Sequence, residues 1–471
     1  MIEKKDRPDY KSKAHQAMAS RWCVVTDALG GTLELRSDEK RRKYLPQFPA
    51  EDNDVYKDRA DTAVFYNAPA KTLAGVVGLI FQKSPTLNSD VSEEIKTHLE
   101  NVDNEGTHWQ VFAKEVEEFA WEHGHAIILV DMPPTLPEGS TREDEVASGR
   151  RPYWVKYKAS QVMSWEPLKA NGKKALGRIT FEEISTERDG LYGEKEVCRY
   201  RTFRVVNEEG QPTRVSWLLE RKSKNTNSGE EIFEEEGKGF LENIDEIPIA
   251  VAYARKKGFL ESSPPLLDQT VLAIKHFQIQ SEQDNTLHIT GFPMLWTDDR
   301  SADIKTVGPA LMITVAKSCT VGYAEPDGNS LEHQRERLKE LKLEMAMMGL
   351  SFIAERVKVE QTATETVIDN AQEKSELATS ARSLKDAIEL CLDFHNRFLR
   401  GKPRTGGTID MVDFNALVLS AEEERLLSDQ VSRGQHSLET LWEFKRRRGS
   451  LPADFDPQKE KDLIGELQPA F

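Results

Sequence analysis

From Thr362 to Leu399 the apolar residues recur at three- and four-residue steps, which puts them on one face of a helix. The stripe is small at first (Ala363, Val367, Ala371, Ser375, Ala378, Ala381) and then bulky (Leu384, Ile388, Cys391, Leu392, His395, Leu399). Thr362 and Glu365 form a capping box at its start. Two more long helices are predicted upstream. SSPPLLDQTVLAIKHFQIQSEQDNTLHITG has Ser263 as N-cap, prolines in the first turn and Gly291 as its stop. Its stripe of Leu267, Val271 and Ile274 fades after Phe277 into Gln, Ser, Glu and Asp, so this helix is expected to leave a core for solvent or a wet interface. The other, Ser330–Met348, carries Leu331, Leu338, Leu341, Met345 and Met348 and ends at Gly349. Between the two, FPMLW, ALMITVA and TVGYAE read as short strands.

The remaining pattern is mixed. Residues 1–55 read as an arm with short helices, broken at Pro46, and the helical period from Tyr56 to Phe81 is interrupted by Pro69. Thr107–His123 is a helix burying Phe112, Val116 and Phe119, with Gly124 placed to end it. The strand AIILVD follows, then a polar Pro/Gly/Ser loop, PPTLPEGSTREDEVASGRRP, expected to be mobile. YWVKYKA, LGRITFEEI, EVCRYRTFRVV and TRVSWLLERK alternate like strands, and IPIAVAY reads as a buried one. After the long capped helix come a strand-like TIDMVDFNALVL and three short helices, one from Ser420 with Glu423 as capping box, one over Ser437–Arg448 and one opened by Asp456-Pro457. The class is α+β, with no tandem repeat of fixed period.

Composition narrows this. A chain of 471 residues suggests two to four domains, and 31% charged against 38% apolar residues suggests an elongated or multi-interface protein. A net charge of −16 argues against ordinary duplex binding through basic patches, although an acidic wall suits DNA that must slide without sticking. Cys23, Cys198, Cys319 and Cys391 form no CxxC, so neither a zinc site nor a disulfide framework is expected. MIEKKDRPDYKSK lacks the apolar core of a signal peptide, and the longest apolar run, Ala74–Phe81, is too short to span a bilayer; a soluble protein is expected.

Candidate chemistry is sparse. His123, His125 and Asp131 invite a metal reading, against the plainer one in which His123 caps a helix end and His125 begins a strand. EDNDVYKDRADT lacks the glycine and closing Glu of a calcium loop and reads as a solvated acidic helix start. AGVVGLI has glycines three apart without a phosphate-cradling pattern, which suggests a close helix contact. KRRRG reads as a basic last helical turn or a phosphate contact. No catalytic, cofactor-binding or metal-binding residues are assigned.

Four stretches, in order and spacing, carry a resemblance: KYLPQF followed by YKDRADTAVFYNAPAKTLAGVVGLIFQKSPTL; EHGHAIILVDMP; EIPIAVAY through SPPLLDQTVLAIKHFQIQSEQDNTLHITGFPMLW; and TATETVIDNAQEKSELATSARSLKDAIEL. The chain resembles the portal proteins of tailed bacteriophages, and within them a subfamily known only as a domain of unknown function. SLETLWEFKRRRGSLPADFD is similar to that family's C-terminal helices.

The resemblance implies a portal-type fold with an α/β wing, two stem helices, a small α/β clip and a helical C-terminal crown. The implied segments are 1–261 for arm and wing, 262–291 and 330–349 for the stem, 292–329 for the clip, 350–414 for the tunnel segment, long helix and wing return, and 415–471 for the crown. It implies a non-enzymatic ring, usually of about twelve copies, at one capsid vertex of the virion, assembled in the host cytoplasm. Double-stranded DNA would pass through it without sequence preference. The terminase large subunit, a head-tail adaptor and the major capsid protein would be partners, with no membrane and no cofactor. Lys358, Glu360, Gln361 and Thr362 become tunnel-lining candidates, and Ala371, Ser375 and Ala378 ring-contact candidates. In a ring, small residues let neighbouring helices approach; a tight contact within one chain is the competing explanation of the same stripe. A minor capsid or scaffold protein, or a metal-dependent hydrolase around His123, His125 and Asp131, are the alternatives.

Overall fold

The computed structural model describes residues 4–133, 149–170, 173–207, 213–224, 230–290, 294–298, 318–324, 329–349, 363–401, 405–411, 421–433, 435–447, 451 and 455–461. The chain is of the mixed α+β class. It divides into two compact units, one of residues 1–23, 73–265 and 357–471, the other of residues 24–72 and 266–356. Among the described residues no helix is long and apolar enough to cross a membrane.

In chain order, the N-terminal region holds α1 (Lys13–Leu29), α2 (Gly31–Leu35), α3 (Arg41–Tyr44), α4 (Asn53–Thr62) and α5 (Ala68–Ile80). At 17 residues, α1 corrects the expectation of short helices only. The expected break near Pro69 falls just before it: Asn67 accepts the Ala70 N–H, and Pro69 lies in the first turn, where its missing donor costs nothing. Strand β1 (Thr86–Leu87) and α6 (Glu93–Leu99) precede α7 (Trp109–His123), which starts two residues later than expected and has His108 as its N-cap. Gly124 ends α7 at φ 92°; a Cβ there would lie 2.5 Å from Ser262 Oγ.

The first unit contains two sheets. β2 (His125–Asp131) is the centre of an antiparallel β3-β2-β9 sheet, between β3 (Tyr153–Lys158) and β9 (Ile249–Tyr253). Every residue of β2 is buried, which accounts for its unbroken apolar run. The second sheet is a five-stranded antiparallel meander of β4 (Val162–Ala170), β5 (Lys173–Asp189), β6 (Gly193–Val206), β7 (Arg214–Lys224) and β8 (Glu231–Phe240). β10 (Lys256–Gly258) and β11 (Glu261–Ser262) form a small hairpin.

The second unit carries α8 (Leu267–Thr290), about 36 Å long at 1.5 Å per residue. It starts later than expected. Ser262 belongs to β11 and the Pro264-Pro265 pair precedes the helix, because a residue before proline is biased away from helical backbone. An antiparallel ribbon of β12 (Met294–Thr297) and β13 (Val321–Ala324) follows, then α9 (Asn329–Met348). The expected ALMITVA strand lies outside the described residues. The unit's core gathers Ala28, Leu35, Tyr44, Leu45, Tyr56, Phe65, Phe277 and Met345.

Back in the first unit, α10 (Ala363–Arg400) packs across β9 and β2, and β14 (Ile409–Asp410) pairs with β1. The chain ends in α11 (Ala421–Ser432), α12 (Leu438–Arg447) and a short helical turn over 457–461.

Candidate functional site

The two long helices of the second unit run antiparallel, held by glutamines at both ends of their contact. Gln269 donates to the Met345 main-chain oxygen at 3.0 Å, and Gln283 to that of Leu331 at 3.5 Å. Fourteen residues separate the contacts on each helix, about 21 Å. Gln269, His276 and Gln283 fall seven apart and are 4%, 1% and 7% exposed; Leu331, Leu338 and Met345 repeat at the same interval on α9. By that register His276 faces Leu338. Neither ring nitrogen of His276 has a partner among the described residues, and burial pushes its pKa down to about 4, aided by Lys342.

This buried seam is not the predicted stripe. Val271 is 53% exposed, while Leu267 and Ile274 are only half-buried; Leu266, Gln269, Thr270, Ala273, His276 and Phe277 face inward instead. On α9, Leu338, Leu341 and Met345 are buried as expected, but Met348 is exposed. The polar tail of α8 does not simply emerge into solvent, since Ser281 and Gln283 are buried.

Arg59 explains why KYLPQF and YKDRADT occur together. Its guanidinium bonds both Glu51 oxygens, at 2.6 and 2.8 Å, the Pro46 carbonyl at 3.0 Å and Ser281 Oγ on α8 at 3.2 Å. It also lies over the Phe48 and Tyr56 rings. Gln278 of α8 donates to the Tyr44 carbonyl, and Tyr56 to that of Leu45. The Arg59 hydrogen bonds hold the Glu51 carboxyl below its usual pKa. The acidic helix start is confirmed at Asp52, which caps α4, but Glu51 is a buried ion-pair partner rather than a solvated charge.

His123, His125 and Asp131 are not brought together. His125 Nδ1 lies 2.7 Å from Ser262 Oγ, and His123 Nε2 lies 3.1 Å from Ser160 Oγ. Asp131 stands at the other end of β2, about 20 Å from His125 at strand rise, where it accepts from Arg201 and Tyr153. Burial lowers the pKa of His123 to about 4 and of His125 to about 3 and raises that of Asp131. All three side chains are nearly inaccessible. His125 ties β2 to β11, His123 ties the end of α7 to Ser160, and Asp131 ties β2 to β3 and β6, with Trp22 donating to the His123 carbonyl at 2.8 Å. Among the described residues no group of three or more His, Cys, Asp or Glu could hold a metal ion. Of the two glycines in AGVVGLI, Gly78 is exposed, with nothing among the described residues within 4 Å of where its Cβ would stand.

The bulky half of the α10 stripe is buried as predicted at Leu384, Ile388, Cys391, Leu392 and His395, with Leu377 and Ser380 buried in addition. Leu399 is only half-buried. Tyr253 donates its N–H to Ser383 at 2.9 Å, and Arg255 pairs with Glu376 at 3.0 Å, so EIPIAVAY is tied to this helix. Ala378 is half-buried; the side chains of Ala371 and Ser375, and all of Lys358, Glu360, Gln361 and Thr362, lie outside the described residues. So do both predicted capping boxes, at Thr362 and Ser420.

Sequence reasoning missed the 269/276/283 seam and the Arg59 hub. The first had a signal, polar residues seven apart inside an amphipathic helix; the second was disguised as an ordinary charged helix face.

Residues 265–399, from the start of α8 almost to the end of α10, match a family described as a domain of unknown function, DUF4055. No curated protein matches the chain.

Proposed function

We propose that this protein is a portal subunit of a tailed bacteriophage. About twelve copies close a ring at one capsid vertex, through which double-stranded DNA is packaged and later ejected. The observation that carries the reading is the antiparallel pair of α8 and α9, with the β12–β13 ribbon in the segment that joins them. The pair supplies a two-helix stem, and the ribbon a clip. Val271, Leu287, Leu343, Met347 and Met348 are exposed apolar residues on these helices, surface that neighbouring copies would cover.

In this reading the first unit provides the wing, and α11 and α12 the beginning of the crown. The clip end is where the terminase large subunit and then the head-tail adaptor dock, and the wing rim meets the major capsid protein. The work is mechanical and electrostatic rather than catalytic. The −16 charge of each copy, about −192 for about twelve, favours a channel wall from which duplex phosphates are repelled. The protein then belongs in the virion, assembled in the host cytoplasm.

Electron microscopy of the purified full-length chain tests this. Rings with a central pore wide enough for a double helix are expected. Compact monomers without a pore would remove the portal reading, and open polymers would favour a scaffold or minor capsid role.

A further inference from the structure

Gln269, His276 and Gln283 stand in one row along α8, about 10 Å from one to the next. The two glutamines donate to α9 carbonyls, and the imidazole between them does not. Both nitrogens of that ring are without a partner among the described residues, although the side chain is only 1% exposed. A neutral imidazole in this position already buries one unmet N–H; an imidazolium would bury two, together with a charge. The helix pair is thus fastened at the two ends of its contact and held least firmly at the centre.

An aromatic ring covers this centre. Tyr66, in the extended segment before α5, is 45% exposed and lies against His276, with 5.7 Å between the ring centroids. The Lys342 ammonium of α9 stands 5.4 Å from the centroid of the same Tyr66 ring. With His276 neutral, the phenol ring faces one cation. With His276 charged, two cations crowd one ring, and the second of them is shut off from water.

The surroundings oppose that second charge. Burial is the larger influence, and Lys342 of α9 adds to it; Asp284, eight residues further along α8, favours a proton but also accepts from Gln280 at 2.9 Å. From the segment before α5 the facing group is the uncharged Tyr66, and the core cluster that holds Ala273 and Phe277 contains no charged side chain. Together these hold the His276 pKa down to about 4, whereas an imidazole in contact with water titrates near 6.5. Below pH 6.5 a proton is therefore taken up by an open arrangement of the two helices and refused by the closed one, so acidification favours opening.

We propose that His276 is an acid-operated release for the α8–α9 pair: on taking up a proton it draws water in past Tyr66, drives Lys342 off that ring and parts the helices between the Gln269 and Gln283 bonds. The release is internal to the second unit and goes beyond the portal reading without depending on it. Hydrogen exchange followed by mass spectrometry tests it on the full chain at pH 7 and pH 5, each rate corrected for its intrinsic pH dependence. In the wild type, amides within 270–282 and 332–344 should lose protection by at least about tenfold on acidification. His276→Phe should hold that loss below about threefold. Lys342→Met, at an exposed position, keeps His276 but removes the competing cation, and should lose no more than about half as much as the wild type. A wild type that keeps its protection at pH 5 overturns the release, as does a His276→Phe chain that loses as much as the wild type. Should His276→Phe fail to fold, Lys342→Met decides alone, a loss equal to the wild type's overturning the release. None of these outcomes bears on ring formation, which particle mass reads separately.

Discussion

Gln269 Nε2 donates to the Met345 carbonyl oxygen at 3.0 Å, from a side chain only 4% exposed. The same amide reaches Thr72 Oγ1 at 2.8 Å, so one buried group ties α8 to α9 and to α5. Gly349 must remain bare beside it, since a Cβ there would lie 2.8 Å from that nitrogen. Removing the amide breaks two bonds, one to the buried Met345 carbonyl and one to the half-buried Thr72 hydroxyl, whereas Gln283 makes a single, longer bond. Gln269→Ala should therefore destabilise the second unit by about 1–3 kcal/mol, and Gln283→Ala by less than about 1 kcal/mol. Urea unfolding followed by helix content checks both values; equal costs would mean that the seam is not organised around Gln269.

The first unit should respond to pH in two opposed ways. Glu117 is fully buried beneath α10, accepts from Trp121 and Ser380, and has its pKa raised to about 7 by burial. Unfolding lets this carboxyl ionise near its ordinary 4.5, so its contribution is lost as pH rises from about 4.5 to 7. At about 1.4 kcal/mol per pKa unit, Glu117→Gln should be more stable than wild type by about 3 kcal/mol at pH 8 and nearly equal to it at pH 4. His123, His125 and His395 act oppositely. Burial lowers their values to about 4, 3 and 3, so below pH 6.5 the unfolded chain takes up protons that the folded one refuses. Three imidazoles outweigh one carboxyl, and the stability of the first unit should fall by about 2–3 kcal/mol for each pH unit of acidification near pH 5. Denaturant midpoints measured from pH 4 to 8 read both effects, and a Glu117→Gln profile parallel to wild type would contradict the first.

The small half of the α10 stripe bears on assembly. Leu384 and the bulky residues after it are committed to the chain's own β2 and β9, whereas Ala378 is half-buried. Ala371→Leu with Ala378→Leu should impair ring formation more than it lowers the melting temperature of the isolated chain. Sedimentation velocity beside a thermal melt separates the two; intact rings from the double variant would return the stripe to an intramolecular role.

What could be read in advance followed how each burial pattern arises. β2 and β9 were legible as short unbroken apolar runs, and the second half of α10 because its buried residues are apolar at the helical period. The inward face of α8 was not, because Gln269, Thr270, His276 and Ser281 occupy it and apolar periodicity points about one residue away. β4 and β8 went unpredicted for related reasons. Pro167 sits in β4 beside a register shift, and β8 reads EIFEEEGKGF, an acidic edge strand whose glycines make room for Trp217. Arg59 looked like one charge among many because its partners, Glu51, Pro46 and Ser281, come from three segments.

Native mass measurement of the purified chain tests the central claim most directly. A single closed species of about twelve copies of the 53.4 kDa chain, about 640 kDa, is the expected result. A monomer that persists at every concentration would contradict it.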